Sequence, residues 1–304
     1  MKWDGGEESD NVEDRRGSDD GGGGFGGGGG ITGMHLGVGG TLAILAISYF
    51  LGIDPRQLIN VANNGQAPQQ QQAPRSSHPN ANAPQTNDRA KHFIRTILGY
   101  TEKVWDEQFK KMGKAYEKPH LVMFTGQTRT GCGQGSTAMG PFYCPADKTV
   151  YIDPDFYEEL ASGLGGSKAD FSQAYVIAHE IGHHVQNLLG YSEIVDQKRQ
   201  ELSKEEFNRW SVRLELQADY LAGVWAHYGD EKYHFIEKGD AEEAIKSANA
   251  IGDDTLQRRA GGHLSPQRYT HGTSAQRVKW YKKGLETGDF SQLKVIFELP
   301  YDQL

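Results

Sequence analysis

His179-Glu-Ile-Gly-His183 places two imidazoles four positions apart, with a carboxylate beside the first. In a helix four residues turn the chain by about 400°, so His179 and His183 stand one above the other and can share a zinc ion at about 2.0–2.1 Å. Glu180 falls about 100° round from His179, where its carboxylate reaches a water on the metal rather than the metal itself. Two ligands and a general base are the parts of a metal-assisted hydrolase. The flanks support that reading over a plain surface helix. Ala174, Ile177, Ala178, Ile181, Val185 and Leu188 form one apolar arc, and the chemical triplet lies opposite. Val176 sits among the triplet in angle, so the polar face must be covered by another part of the chain.

The covering element should supply a third ligand. A metzincin would carry Gly three residues and His six residues after the second histidine; here those positions are Gln186 and Leu189. The alternative is a glutamate from a second helix, and Glu215 with Asp219 stands at i and i+4 on the stretch 203–228. Around that pair lie Ser211, Ala222, Gly223 and Ala226, all small, where a solvated salt-bridged face would carry long side chains. Glu215 is therefore read as the third metal ligand, and Asp219 as the acceptor that orients a ligand histidine. Charge developing on a scissile carbonyl needs a donor from a later segment, for which His271 is the first candidate and Arg277 the second. The alternatives are that His271 caps the last helix and that Arg277 pairs with Asp253 or Asp254. His184 points about 100° away from His183 and reads as a hydrogen-bonded neighbour.

These segments, together with Gly140-Pro-Phe-Tyr-Cys-Pro145, Val150-Tyr-Ile-Asp153, Ala250-Ile-Gly-Asp-Asp254 and Thr270-His-Gly-Thr-Ser-Ala-Gln-Arg277 with Trp280, resemble the bacterial predicted neutral zinc metallopeptidase family. The resemblance spans about residues 88–290, with its pieces in the family's order. It implies a gluzincin-like zinc domain behind one N-terminal membrane span.

The elements that must hold these residues follow from pattern and punctuation. Asp88 caps an amphipathic helix running to about Phe109. Short β-rich pieces follow at 121–124, 136–143 and 149–152, and residues 136–142 could form a sheet edge to which a peptide adds. Helices are expected at 170–189, stopped by Gly190; at 203–228, opened by the capping box Ser203-Lys-Glu-Glu206 and stopped by Gly229; at 240–259; and at 274–285. The order is α+β, a zincin-like domain with a small sheet and the zinc site on its helices.

Composition divides the rest. Sixteen of the 39 glycines fall in the first 40 positions. Residues 1–35 are glycine and acid, residues 54–87 are Gln, Asn, Ala and Pro, and neither is expected to fold, which leaves 88–304 as the metallopeptidase domain. Between them residues 36–53 carry no charge and reach about 27 Å as a helix, enough for one transmembrane span. Cys132 and Cys144 are the only cysteines; their spacing suits a disulfide and favours a domain outside the cytoplasm. A net charge of −8 without a Lys/Arg cluster argues against nucleic acid. The expected protein is thus a membrane-anchored zinc endopeptidase acting on protein or peptide. Its rivals are a catalytically silent zinc-binding protein and an amidase acting on cell-wall peptide.

Overall fold

The computed structural model describes residues 1–17, 88–261 and 263–304. Five strands and one N-terminal strand make two sheets. In the larger, strand order is β1 (Val12–Asp14), β2 (His120–Met123), β6 (Thr149–Ile152), β5 (Phe142–Cys144). β1, β2 and β6 are parallel, and β5 runs antiparallel at the edge, pairing Phe142 with Tyr151. β3 (Gln127–Thr130) and β4 (Gly133–Ser136) form a separate hairpin. The stretch 136–142 is therefore not one strand: Thr137–Met139 make a 3-10 turn, and Gly140 at φ 69° breaks the extended run. The only cysteines are bridged, Cα–Cα 5.8 Å, tying the β3–β4 turn to the edge strand. Cys132→Ser should lower stability by roughly 2–4 kcal/mol in urea unfolding. The wild-type chain should resist alkylation until it is reduced.

Helices cover the sheet. α1 (Arg89–Lys111) starts where Asp88 caps the Lys91 N–H. α2 (Phe156–Ser162) leads to α3 (Asp170–Leu189), which ends at left-handed Gly190 as its sequence predicts, and α4 (Tyr191–Glu201) departs at once from the same glycine. α5 (Lys204–Tyr233) begins with the Ser203/Glu206 capping box but runs through Gly229. That glycine is a packing residue, since a Cβ there would lie 2.5 Å from the Phe235 ring. The expected helix 240–259 is two, α6 (Asp240–Ala250) and α7 (Asp253–Arg259), broken where a Cβ on Gly252 would meet the Ser274 nitrogen at 2.3 Å. α8 (Ser274–Thr287) closes at Gly288, and α9 (Gln292–Glu298) follows. α3 and α5 cross at Gly182, whose missing side chain lets the Ala218 backbone approach. Gly223, by contrast, serves the crossing with α8, where a Cβ would stand 2.2 Å from the Tyr281 carbonyl.

The first residues correct an expectation. Residues 1–17 are not a tail; they pack on the domain. Trp3 is buried against Phe93, its indole N–H donating to Asp170 at 2.6 Å. The acids that made the segment look unfoldable are partners of basic residues on α1: Glu7 with Lys103, Glu8 with His92 and Arg95, Asp10 with Arg95. Local composition cannot reveal a partner some 80 residues on. The candidate span 36–53, and the linker 54–87, lie outside the described residues. Among the described residues no helix is long and apolar enough to cross a membrane.

Candidate metal centre

α3 and α5 bring His179, His183 and Glu215 together, with one ligand atom from each lying within 4.8 Å of the others. Glu215 Oε2 is 3.3 Å from His179 Nε2, and its Oε1 is 3.6 Å from His183 Nε2. Donors about 2 Å from a tetrahedral zinc stand roughly 3.3–3.5 Å apart, so the two distances from Glu215 fit zinc. Both histidines present Nε2 to this point, because each Nδ1 is engaged elsewhere. His179 Nδ1 donates to Asp219 Oδ1 at 2.9 Å, and His183 Nδ1 donates to Gln186 Oε1 at 2.8 Å.

The two orienting contacts are themselves held. Asp219 is fully buried and accepts from Tyr175 Oη at 2.6 Å and from Arg277 Nε and Nη2 at 2.8 and 2.9 Å. Burial opposes its charge, but Arg277 and His179 outweigh that and hold its pKa down at about 2. The partner of Arg277 is thus Asp219, not Asp253 or Asp254. Gln186 donates through Nε2 to the Leu214 carbonyl at 2.6 Å, linking the His183 support to the residue before Glu215. The place of Gln186 one turn after His183 is the sequence signal for this support, whereas no short-range pattern marks Tyr175 or the Arg277–Asp219 pair.

Glu180 is buried beside the cluster and makes no hydrogen bond to a described residue. Burial raises its pKa, against the pull of the two histidines. A carboxylate tuned upward is suited to accept a proton near neutral pH. Val176, 5% exposed, confirms that this helix face is covered. His184 is not a ligand: its Nε2 donates to the Glu117 carbonyl at 2.7 Å, so Nδ1 accepts from Tyr143 Oη at 3.0 Å. That pins the edge strand β5 to the metal-site helix, and burial depresses the His184 pKa to about 4.

His271 approaches from the loop before α8, close enough for Glu215 to interact with its charge. Its side chain is one-third exposed, and Nδ1 lies 3.4 Å from Asp253 Oδ1. Asp253 Oδ2 also accepts the backbone N–H groups of Thr270, His271 and Gly272 at 2.8, 2.7 and 2.9 Å, which fixes the loop. Thr273, not His271, caps α8.

In the metal-free site burial works against a charged His179, but Asp219 and Glu215 outweigh it and push its pKa up to about 10. At pH 7 the histidine is then protonated, and the proton must leave before Nε2 can ligate. Zinc binding should release about one proton per chain at pH 7, and affinity should fall up to about tenfold for each pH unit lowered. Calorimetry in buffers of different ionisation enthalpy reads this directly.

A His-Glu-x-x-His helix completed by a glutamate from a second helix defines a zinc-peptidase type of site. Residues 1–296 match the family described as "Putative neutral zinc metallopeptidase", and the chain belongs to that family. Over 296 residues it is 49% identical to the uncharacterized protein YpfJ of Escherichia coli (strain K12), covering 96% of this chain and 97% of that protein. Over 213 residues it is 40% identical to the uncharacterized protein Rv2575 of Mycobacterium tuberculosis (strain ATCC 25618 / H37Rv), covering 67% and 71%. No solved structure matches the chain.

Proposed function

We propose that the protein is a zinc-dependent endopeptidase that hydrolyses peptide bonds of protein substrates. The observation that carries this is the convergence of His179, His183 and Glu215 on one point with Glu180 buried beside it and without a hydrogen bond to any described residue. Three protein donors leave a tetrahedral position open, whereas a structural zinc site is normally closed by four. This favours a hydrolase over a silent zinc-binding protein. Zinc, when bound, supplies Lewis acidity and lowers the pKa of a water. Glu180 accepts the proton of the attacking water at its carboxylate and returns it to the departing amine. His271 donates through Nε2 toward the oxygen that gains negative charge. The outer edge of β5, held to α3 by Tyr143–His184 and by Asn187 Nδ2 donating to Tyr143 Oη at 3.1 Å, offers backbone groups to an extended peptide.

Attachment to a membrane through residues 36–53 remains part of this reading. The deciding experiment is to measure zinc content alongside cleavage of an unfolded protein such as casein by the full chain. Zinc near one per chain with chelator-sensitive cleavage supports an endopeptidase. Zinc-loaded protein that cleaves cell-wall peptide alone selects the amidase, and zinc-loaded protein that cleaves neither selects the silent protein.

A further inference from the structure

Residues 1–17 and 88–304 form one folded unit, yet the most apolar run of the chain lies between them. β1 pairs with β2 in parallel, Val12 opposite Leu121, Glu13 opposite Val122 and Asp14 opposite Met123. The contact is built into both partners. Gly99 on α1 exists at a point where a Cβ would stand 2.3 Å from the Glu7 carbonyl, and a Cβ on Gly6 would strike Thr96 and Tyr100 at 2.6 Å. Glu102, 5% exposed, accepts from Ser9 Oγ at 2.6 Å and from Asn11 Nδ2 at 2.7 Å. Arg16 binds Asp88, the cap of α1. The family match also begins at residue 1.

Strand pairing acts over a few ångströms, and a hydrocarbon layer is about 30 Å thick. One crossing by residues 36–53 would put β1 and β2 on opposite faces of that layer. Trp3 would leave the core, and Glu102 would lose both hydrogen bonds to its Oε1, keeping only Lys118 at Oε2. We infer that residues 1–17 and 88–304 occupy one compartment, so the chain between them makes no net crossing of a membrane. A single-pass anchor with a separate N-terminal tail is replaced by a domain whose first strand and body share one side. This inference does not depend on the zinc chemistry.

Zero-length carbodiimide cross-linking of the full chain in its native membranes tests it. Glu7 and Lys103 are 2.6 Å apart across the contact, and Glu117 and Lys148, also 2.6 Å apart, lie within the body of the domain and serve as the internal standard. Recovery of both cross-linked peptides is the expected result. Recovery of Glu117–Lys148 without Glu7–Lys103 would overturn the inference. A second measurement reads the same point through stability: Trp3→Ala should lower the Tm of the full chain by at least about 5 °C, as loss of a core aromatic does. An unchanged Tm would mean that Trp3 is elsewhere in the native protein and would overturn the shared compartment.

Discussion

Glu180→Gln should leave zinc near one per chain while turnover falls by at least about 10²-fold, the usual size of a general-base contribution. The amide keeps the shape of the carboxylate and its capacity to hydrogen-bond, but it cannot accept a proton. Retention of metal follows from the geometry, since His179, His183 and Glu215 supply the converging donors and Glu180 is not among them. Two features suggest that the fold will tolerate the change. Glu180 makes no hydrogen bond to a described residue, so no partner is orphaned, and burial already works against its charge. Stability should therefore be equal or slightly higher at neutral pH. Metal content and casein cleavage on the same preparation check the prediction, and full activity in Glu180→Gln would remove the proposed proton transfer.

The reach of sequence reasoning follows the range of the interactions involved. α3 was legible at both ends because Gly190 and the i, i+4 histidines act within one helix. The start of α5 was legible for the same reason, as Ser203 and Glu206 cap each other three residues apart. Its end was not, because Gly229 answers to Phe235 rather than to the helix. Gly252 likewise answers to Ser274, so the break between α6 and α7 is written in a residue 22 positions away. The N-terminal segment is the largest such case. Its acids are solvated charges in local composition and ion-pair partners only once α1 is beside them. At the site, the triplet and the Glu215/Asp219 pair could be read from helical spacing, and the structure brings all of them together. The Asp219–Arg277 pair spans 58 residues between two helices whose crossing no single periodicity encodes.

Glu215→Ala should lose zinc, and activity with it, which makes it the counterpart of the Glu180 variant. Its carboxylate faces both imidazoles, one oxygen toward each Nε2, and it comes from the helix opposite them. Without it only the two imidazoles of one helix remain as donors, and with Zn²⁺ sites normally needing at least three protein ligands, affinity should fall by well over the 10–100-fold that loss of a supporting contact produces. The choice of residue matters. Asp219→Asn would also weaken zinc binding, but it removes the charge that pairs with buried Arg277, and a buried cation left without its partner costs about 3–5 kcal/mol. A fall in zinc there could reflect partial unfolding. Glu215 pairs only with histidines, which can shed their protons where Arg277 cannot, and its side chain is 19% exposed, so in the metal-free state Glu215→Ala should lower the Tm less than Asp219→Asn does while zinc is lost. Equilibrium dialysis against zinc and thermal melts of the metal-free chain separate the two effects. If Glu215→Ala kept full zinc, the third donor would have to come from the loop before α8, where His271 is the nearest candidate. Glu193 and Asp196 line a different groove on α4 with Asn187 and Arg199, and they would not serve.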